Sequence, residues 1–500
     1  MMRALPAILF GIAACGDSYV VVTVDARPGI VGATSLEIKL GDSGATDTSS
    51  LALGDHSFPA TFSIDTSGRS GELDIALSAV GSDGTLLAVG SASADVRSDV
   101  SVMLDPADFV VNTDTSTDYF LSTDYEAKGF QVAATDGGPW TVAFRNTCTD
   151  ACQIFARMFD PTGQPLKTEV ASSTNAFTLT TTATDDQTFP AVAAANASTL
   201  AVWDFTDGSG NEGIGCHGLD ASGALTTQDQ VTLSTDLADV ATISPLSSGD
   251  FAIAWQTTMP TVAVRTIIAQ ADCTAVGSAQ TASTTIGSND GPHRASIADN
   301  ESSVLYTWIT DGAVHTRAST PTGTFSGADT VLFPPPTGFV IEQARVVVMG
   351  TGFGIAVREV TTDGTTGGQI QLLLTNAAGQ LLPSMPITIS TQTGADFSVG
   401  AQGFGMATRS DGATLIAWQQ CDDGSPGPCT GHMDVYGQVV RASGALVGSA
   451  FEIPTTTAGD QDAPAVAALG SAFAVAWNDS SVATQAVRAR VIYPAFPAGP

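Results

Sequence analysis

Two patterns of apolar and polar positions divide the chain. Between residues 19 and 108, short runs alternate apolar with polar: Tyr19–Asp25, Ser35–Leu40, Phe58–Asp65, Glu72–Val80, Leu86–Ser91 and Val100–Leu104. A period of two residues marks strands with one buried face. Gly41-Asp42-Ser43-Gly44 and Gly81-Ser82-Asp83-Gly84 separate the runs with residues that favour turns. Six or seven strands over this stretch predict a small β-sandwich at 19–108, Ig-like in general form, although the Cys…Trp…Cys signature of Ig domains is missing. Asp105-Pro106 and the polar stretch Asn112–Asp118 place a linker at 109–118.

From residue 119 to the end the chain repeats itself. Pro464-Ala-Val-Ala-Ala-Leu-Gly-Ser-Ala-Phe-Ala-Val-Ala-Trp477 parallels Pro190-Ala-Val-Ala-Ala-Ala-Asn-Ala-Ser-Thr-Leu-Ala-Val-Trp203. Each copy is an apolar strand, a short turn, and a second strand ending in a bulky residue. Weaker copies end at Phe144, Trp255, Trp308, Val357 and Trp418, giving seven units spaced by 49 to 61 residues. A third strand, a turn that usually carries Gly, and a fourth strand follow, as in Val435–Arg441 and Glu452–Thr455. Four strands per unit of this length is the period of a β-propeller blade. Strands rich in Ala, Val and Ile suit sheets covered on both faces, and the recurring bulky residue suits a wedge between blades. The expected architecture is therefore all-β: a small sandwich, then a seven-bladed propeller at 119–500. The last unit lacks a fourth strand, because only Tyr493–Pro500, with three prolines, follows Ile492. An open edge is a liability in a sheet. Tyr119–Thr123 is expected to close the ring by supplying that strand.

Composition then narrows the partners. Asp and Glu number 50 against 18 Lys and Arg, a formal charge of −32. Such a surface repels phosphates and argues against nucleic acid. Residues 1–14 read as a secretory signal: Arg3 precedes an apolar run too short to span a bilayer as a helix. Six cysteines remain besides Cys15, an even number that fits export and oxidation. Cys148 with Cys152, and Cys421 with Cys429, are expected to bridge within turn-rich loops, and Cys216 with Cys273 is a third candidate pair.

Ile12-Ala13-Ala14-Cys15 resembles the lipobox of bacterial lipoproteins. That resemblance implies cleavage before Cys15, a lipid on its sulfur, a short tether at 15–18 and attachment to a membrane, with Gly16 leaving the outer membrane or cell surface open. The repeat is similar to the degenerate P-x-V-A…F-x-V-x-W propeller repeats of bacterial surface and secreted proteins. Its motif is a packing motif and implies fold alone. The Gly-His pairing of WD40 repeats, periodic Gly-Gly pairs of kelch repeats and the Asp boxes of sialidases are not found in the sequence.

No catalytic motif stands out. The five His are scattered over separate units, and HExxH, G-x-S-x-G and P-loop patterns are absent. Acidic residues concentrate where the fourth-to-first and second-to-third connections should share one face of the ring. Asp204, Asp207, Glu212, Asp185, Asp186, Asp460 and Asp462 are the candidates there for a cation or ligand. Carboxylates suit Ca²⁺, whereas Asp also caps turns through its own side chain; both readings stay open. The function expected is a lipid-anchored envelope protein whose propeller binds a protein or glycan. The alternative is an extracytoplasmic polysaccharide hydrolase or lyase on the same scaffold.

Overall fold

The structure, a computed structural model, describes residues 19–494 except 43–44, 55–56, 97, 113–130, 146–151, 167–176, 181–185, 228–229, 260–261, 284–294, 363–366, 384, 394–402, 422–430 and 482–485. Cys15, the tether, Tyr119–Thr123, Cys148, Cys429 and Asp185 fall outside the described residues. All regular elements described are β-strands. The chain divides into two compact units, 1–108 with 490–492, and 109–489 with 493–500.

The first unit contains β1 (Tyr19–Ala26), β2 (Ala33–Asp42), β3 (Ala45–Ala52), β4 (Ala60–Asp65), β5 (Glu72–Gly81), β6 (Leu86–Asp95) and β7 (Val100–Pro106). They hydrogen-bond in the order β3-β2-β5-β6-β7-β1-β4, with β1 and β7 parallel. The period-two pattern produces the core directly. Val20, Val22 and Val24 of β1 meet Leu36, Ile38, Leu73, Ile75 and Leu77 in one buried cluster, while the intervening residues face outward. The sheet narrows to two residue pairs where β6 meets β7, Ala88 with Pro106 and Val89 with Asp105. There β6 passes so close to β7 that a Cβ on Gly90 would lie 2.4 Å from the Met103 carbonyl oxygen. The strands expected from the sequence are present, but this single continuous order does not establish the Ig-like topology.

The second unit is the seven-bladed propeller. Each blade is a four-stranded antiparallel sheet. The first strands are Gln131–Ala134, Asp186–Ala195, Leu237–Pro245, Ser296–Asp299, Phe339–Met349, Gly405–Thr408 and Gln461–Leu469. Each neighbours the next around the ring, and the last neighbours the first. The second strands carry the repeat positions Phe144, Trp203, Trp255, Trp308, Val357, Trp418 and Trp477, one per blade as the sequence predicts.

Alternation along the second strand explains why one sheet cannot stand alone. In the third blade, Phe251, Ile253 and Trp255 join a cluster with Leu200, Val202 and Ile214 of the second blade. Ala252 and Ala254, pointing the other way, join a cluster with Ile297, Tyr306 and Trp308 of the fourth blade. Trp203 likewise packs on Ile154, Ala156 and Met158 of the first blade, and Trp418 on Ile370 and Leu372 of the fifth. Trp203, Trp255, Trp308 and Trp418 are thus wedges against the preceding blade, and all are buried. Closing the ring covers both faces of every sheet.

The closing strand differs from the one expected. β8 (Phe109–Val110) pairs with the third strand of the last blade, Val110 opposite Arg488 and Phe109 opposite Ala489. The pairing continues past the strand. Val111 N–H donates to the Val487 carbonyl at 2.7 Å, and Val487 N–H donates to Asn112 Oδ1 at 2.7 Å. The first blade clasps the same segment: Arg157 donates to the Val110 and Val111 carbonyls at 3.2 and 2.6 Å, and Phe109 packs on Trp140 and Phe159. Residues 109–112 therefore belong to the propeller, not to a linker. Phe-Val-Val is too short to show a strand period in the sequence, and the polar run after it resembles a linker.

Turns between third and fourth strands repeat a single geometry. Gly163, Gly223, Gly323, Gly379 and Gly444 each donate an N–H to the residue three before, and each has φ between 76° and 90°. In the third blade Cys273 takes this position at φ 66° and bonds to Cys216 of the second blade. The bridge thus ties two blades together. Cys152 and Cys421 are also half-cystines; their expected partners lie outside the described residues. The Cys216→Ala/Cys273→Gly variant should lose about 2–4 kcal/mol, because the bridge closes a long loop in the unfolded chain. Glycine at the left-handed position should return about 1 kcal/mol of that. Urea unfolding of this variant against the parent measures the difference, and equal midpoints would mean that packing alone joins the two blades.

Candidate functional site

The first strands of all seven blades wall a central cavity of about 320 Å³. Their register can be aligned by the residue just before each repeat position. Ala143, Val202, Ala254, Thr307, Ala356, Ala417 and Ala476 pair with Gln131, Ala191, Thr242, Ser296, Arg345, Gly405 and Ala465. These seven partners occupy one level of the ring, and Thr242, Ser296 and Arg345 among them line the cavity. Among them Arg345 is the single charged residue. Gly405 cannot be larger, since a Cβ would fall 2.8 Å from Val466.

Arg345 has no salt bridge or hydrogen bond among the described residues, and its Nε is both buried and unpartnered. The acidic groups near it in sequence or in the cavity wall are committed elsewhere. Glu342 pairs with Arg358 at 2.8 Å. Asp299, at the other end of its strand, accepts from Ser247 N, Ser247 Oγ and Glu301 N at 2.7 to 2.8 Å. Burial without a counter-ion lowers the Arg345 pKa to about 10, which leaves it cationic at neutral pH.

Just upstream of this layer, four of the first strands are irregular. Register slips between Thr188 and Ala191, Asp239 and Thr242, Ile341 and Gln343, and Asp462 and Ala465. Phe189, Val240 and Ala463 sit there at φ of 53°, 57° and 53°. A β-branched residue such as Val240 rarely adopts that conformation. The residue following the repeat tryptophan holds the bulge of the next blade in two cases. Asp204, after Trp203, accepts the Val240 and Ala241 amides at 2.5 and 3.1 Å, and Gln419, after Trp418, accepts the Ala463 amide at 3.3 Å.

Asp204 therefore corrects the sequence reading. It lies inside a strand, is 5% exposed, and both carboxylate oxygens are engaged. The Asp204→Ala variant should lose about 2–4 kcal/mol, because two buried amides are left without acceptors. Thermal melts with and without Ca²⁺ check this; recovery of stability by added Ca²⁺ in the parent alone would reinstate Asp204 as a ligand.

The remaining acidic candidates divide between two blades. Asp186 pairs with Thr206, and Thr206 with Glu212, so Asp186, Asp207 and Glu212 gather at one end of the second blade. Asp207 closes its own turn, accepting from Ser209 N, Asn211 N and Asn211 Nδ2, all at 2.8 Å. The Asn211 side chain and then its amide hold the Asp207 pKa below the usual carboxylate value. Asp460 and Asp462 lie at the same end of the seventh blade, where Asp460 accepts the Met433 amide at 3.1 Å and Asp462 accepts Asn478 Nδ2 at 2.6 Å. Among the described residues no group of three His, Cys, Asp or Glu side chains is placed to hold a metal ion. Turn capping accounts for Asp207, and backbone or amide contacts occupy Asp460 and Asp462.

Arg345 was not singled out from the sequence. The signal was available: aligned on the repeat, the units read Ala, Thr, Ser, Arg, Gly and Ala from the second blade to the seventh, and one cation interrupts a series of small residues.

No protein-family description matches the chain, and no curated protein matches it. Solved structures share the general shape. A protein of unknown function from Dyadobacter fermentans is 10% identical, with a TM-score of 0.43 over 77% of this chain and 98% of its own. A Hadza microbial sialidase, Hz136, is 8% identical, with a TM-score of 0.46 over 95% of this chain and 94% of its own. A glycosyl hydrolase from Bacteroides ovatus is 11% identical, with a TM-score of 0.33 over 63% of this chain and 86% of its own. At TM-scores below 0.5 these likenesses carry no argument about this chain.

Proposed function

We propose that the chain is an exported, lipid-anchored envelope protein whose propeller is a binding module. The observation that carries this reading is the composition of the channel wall. Small aliphatic and hydroxyl side chains from seven strands surround one cation, which is a surface suited to hold a ligand. Most glycoside hydrolases use two carboxyl groups facing one bond. Among the described residues of the wall Asp299 is the one carboxylate, and it already accepts from Ser247 of the neighbouring blade and from the Glu301 amide. The Cys216–Cys273 bridge supports an oxidising compartment. In this reading Cys15 carries the lipid and the acidic loop end faces solvent, where protein or glycan is met.

Two measurements test the reading. Mass spectrometry of the mature N-terminus should find acylated Cys15, and the Cys15→Ser protein should leave the membrane fraction. That soluble variant, applied to a glycan array and to polysaccharide digests, should bind without releasing reducing ends. Turnover would replace the binding module with the hydrolase or lyase alternative.

A further inference from the structure

We propose that the central channel binds a small organic carboxylate, gripped by the Arg345 guanidinium together with the hydroxyls of Ser296 and Thr242. The inference rests on the reading of the propeller as a binding module and names the chemistry of one ligand. It begins with the layer that the strand register defines. Thr242, Ser296 and Arg345 occupy equivalent positions on three consecutive blades, so they stand side by side at one level of the channel. The blades are in direct contact there. Ser296 Oγ accepts the Val346 amide at 3.0 Å, which fixes the hydroxyl beside Arg345 and leaves its own proton to donate. The Thr242 hydroxyl has no partner among the described residues and lies on the cavity wall. Three residues with donor groups, two neutral and one charged, thus line one side of the cavity.

The energetics call for an anion. A guanidinium partly withdrawn from water, with its Nε buried and no counter-ion beside it, is stabilised when an anion meets it. Among the described residues Arg358 is partnered by Glu342, Arg488 by Asp479, and Arg157 by two carbonyls. Arg265 and Arg345 each keep a buried Nε without a partner, and of these two Arg345 lines the cavity. A carboxylate fits the planar fork of arginine through two parallel hydrogen bonds.

Charge selects carboxylate over phosphate. One cation neutralises one negative charge. A phosphate dianion would leave a second charge uncompensated inside a protein of net charge −32. The cavity volume of about 320 Å³ sits at the small end of ligand sites, which suits an acid of monosaccharide size.

The test is calorimetric titration of the full-length Cys15→Ser protein at about pH 8, where inorganic phosphate is mostly a dianion and Arg345 stays cationic, at constant chloride. Sodium acetate, sodium glucuronate and inorganic phosphate are the probes. Both carboxylates should bind saturably at one site, with dissociation constants of about 1 mM or below, and phosphate should bind more weakly than glucuronate. Arg345→Met, of similar volume and no charge, should weaken both carboxylates about tenfold or more. Thr242→Val, which keeps the shape and removes one donor, should weaken them severalfold and guards against misfolding of the first variant. Undiminished affinity in a folded Arg345→Met protein would overturn the proposal, as would phosphate binding tighter than glucuronate or no saturable heat from either carboxylate. Glycan-array binding with no carboxylate binding would overturn this inference and leave the binding module standing, whereas turnover on polysaccharide would remove the module itself.

Discussion

Replacing Val111 with proline should open the ring. Val111 is fully buried, and its amide makes a 2.7 Å bond to the Val487 carbonyl at the junction between the last blade and the closing segment. Proline removes that donor and leaves the Val487 carbonyl buried without its partner. The loss is expected to be about 3 kcal/mol or more, against a total stability of about 5–15 kcal/mol for a typical domain. The consequence is larger than one bond. The outer edge of the seventh sheet would be exposed, and the Arg157 clasp from the first blade would lose its two carbonyl acceptors as the segment detaches. Urea unfolding followed by tryptophan fluorescence should change from one transition to a broad or two-step one. Asn112→Ala removes the acceptor for Val487 N–H and should cost about 1–3 kcal/mol with cooperativity retained. If both variants unfold like the parent, residues 109–112 do not hold the ring.

Trp255→Ala should be the most damaging single truncation inside a blade, costing about 3–5 kcal/mol. The side chain is fully buried between the second and third blades, among Leu200, Val202, Ile214 and Ile253. Small alanines at Ala191, Ala193 and Ala241 give the cavity little means to collapse. Trp255→Phe should cost far less. It keeps most of the apolar area and discards an indole N–H that has no acceptor among the described residues. The ratio of the two effects, read from chemical denaturation, separates wedging by volume from hydrogen bonding. A Phe variant as damaged as the Ala variant would contradict the wedge.

The architecture was legible because its physics is local and repeated. A strand covered on both faces must be apolar throughout, and a blade must present a bulky residue where it meets its neighbour. Those demands recur seven times, so Trp203, Trp255, Trp308, Trp418 and Trp477 mark the second strands even where the rest of a unit has drifted. Even Val357, without a ring, falls at the equivalent place, opposite Ala344. The closing strand was misplaced for the opposite reason. Phe109 and Val110 gain their structure from Arg157, Phe159 and Val487, partners that are distant in sequence, and a two-residue strand has no period to detect.

The site was harder to read than the fold. Asp204 and Asp207 look alike in sequence, three residues apart in an acidic loop. In space one is a buried cap on the bulge of the neighbouring blade and the other closes an exposed turn. Composition cannot separate them, because the difference lies in the left-handed conformation of Val240, which no local rule assigns to a β-branched residue. Arg345 was obscured by the abundance of acidic residues. On a chain of net charge −32, attention falls on carboxylates, whereas the informative group is the cation without one.

Native-state hydrogen exchange of the closing segment tests the closed ring most directly. The amide of Val111 and its partner Val487 should exchange only through global unfolding, with the same protection as the inner strand amides of Val346 and Val466. Free-chain exchange at Val111 and Val487, while the blade interiors stay protected, would mean an open arc of sheets, and no common channel for Arg345 to serve.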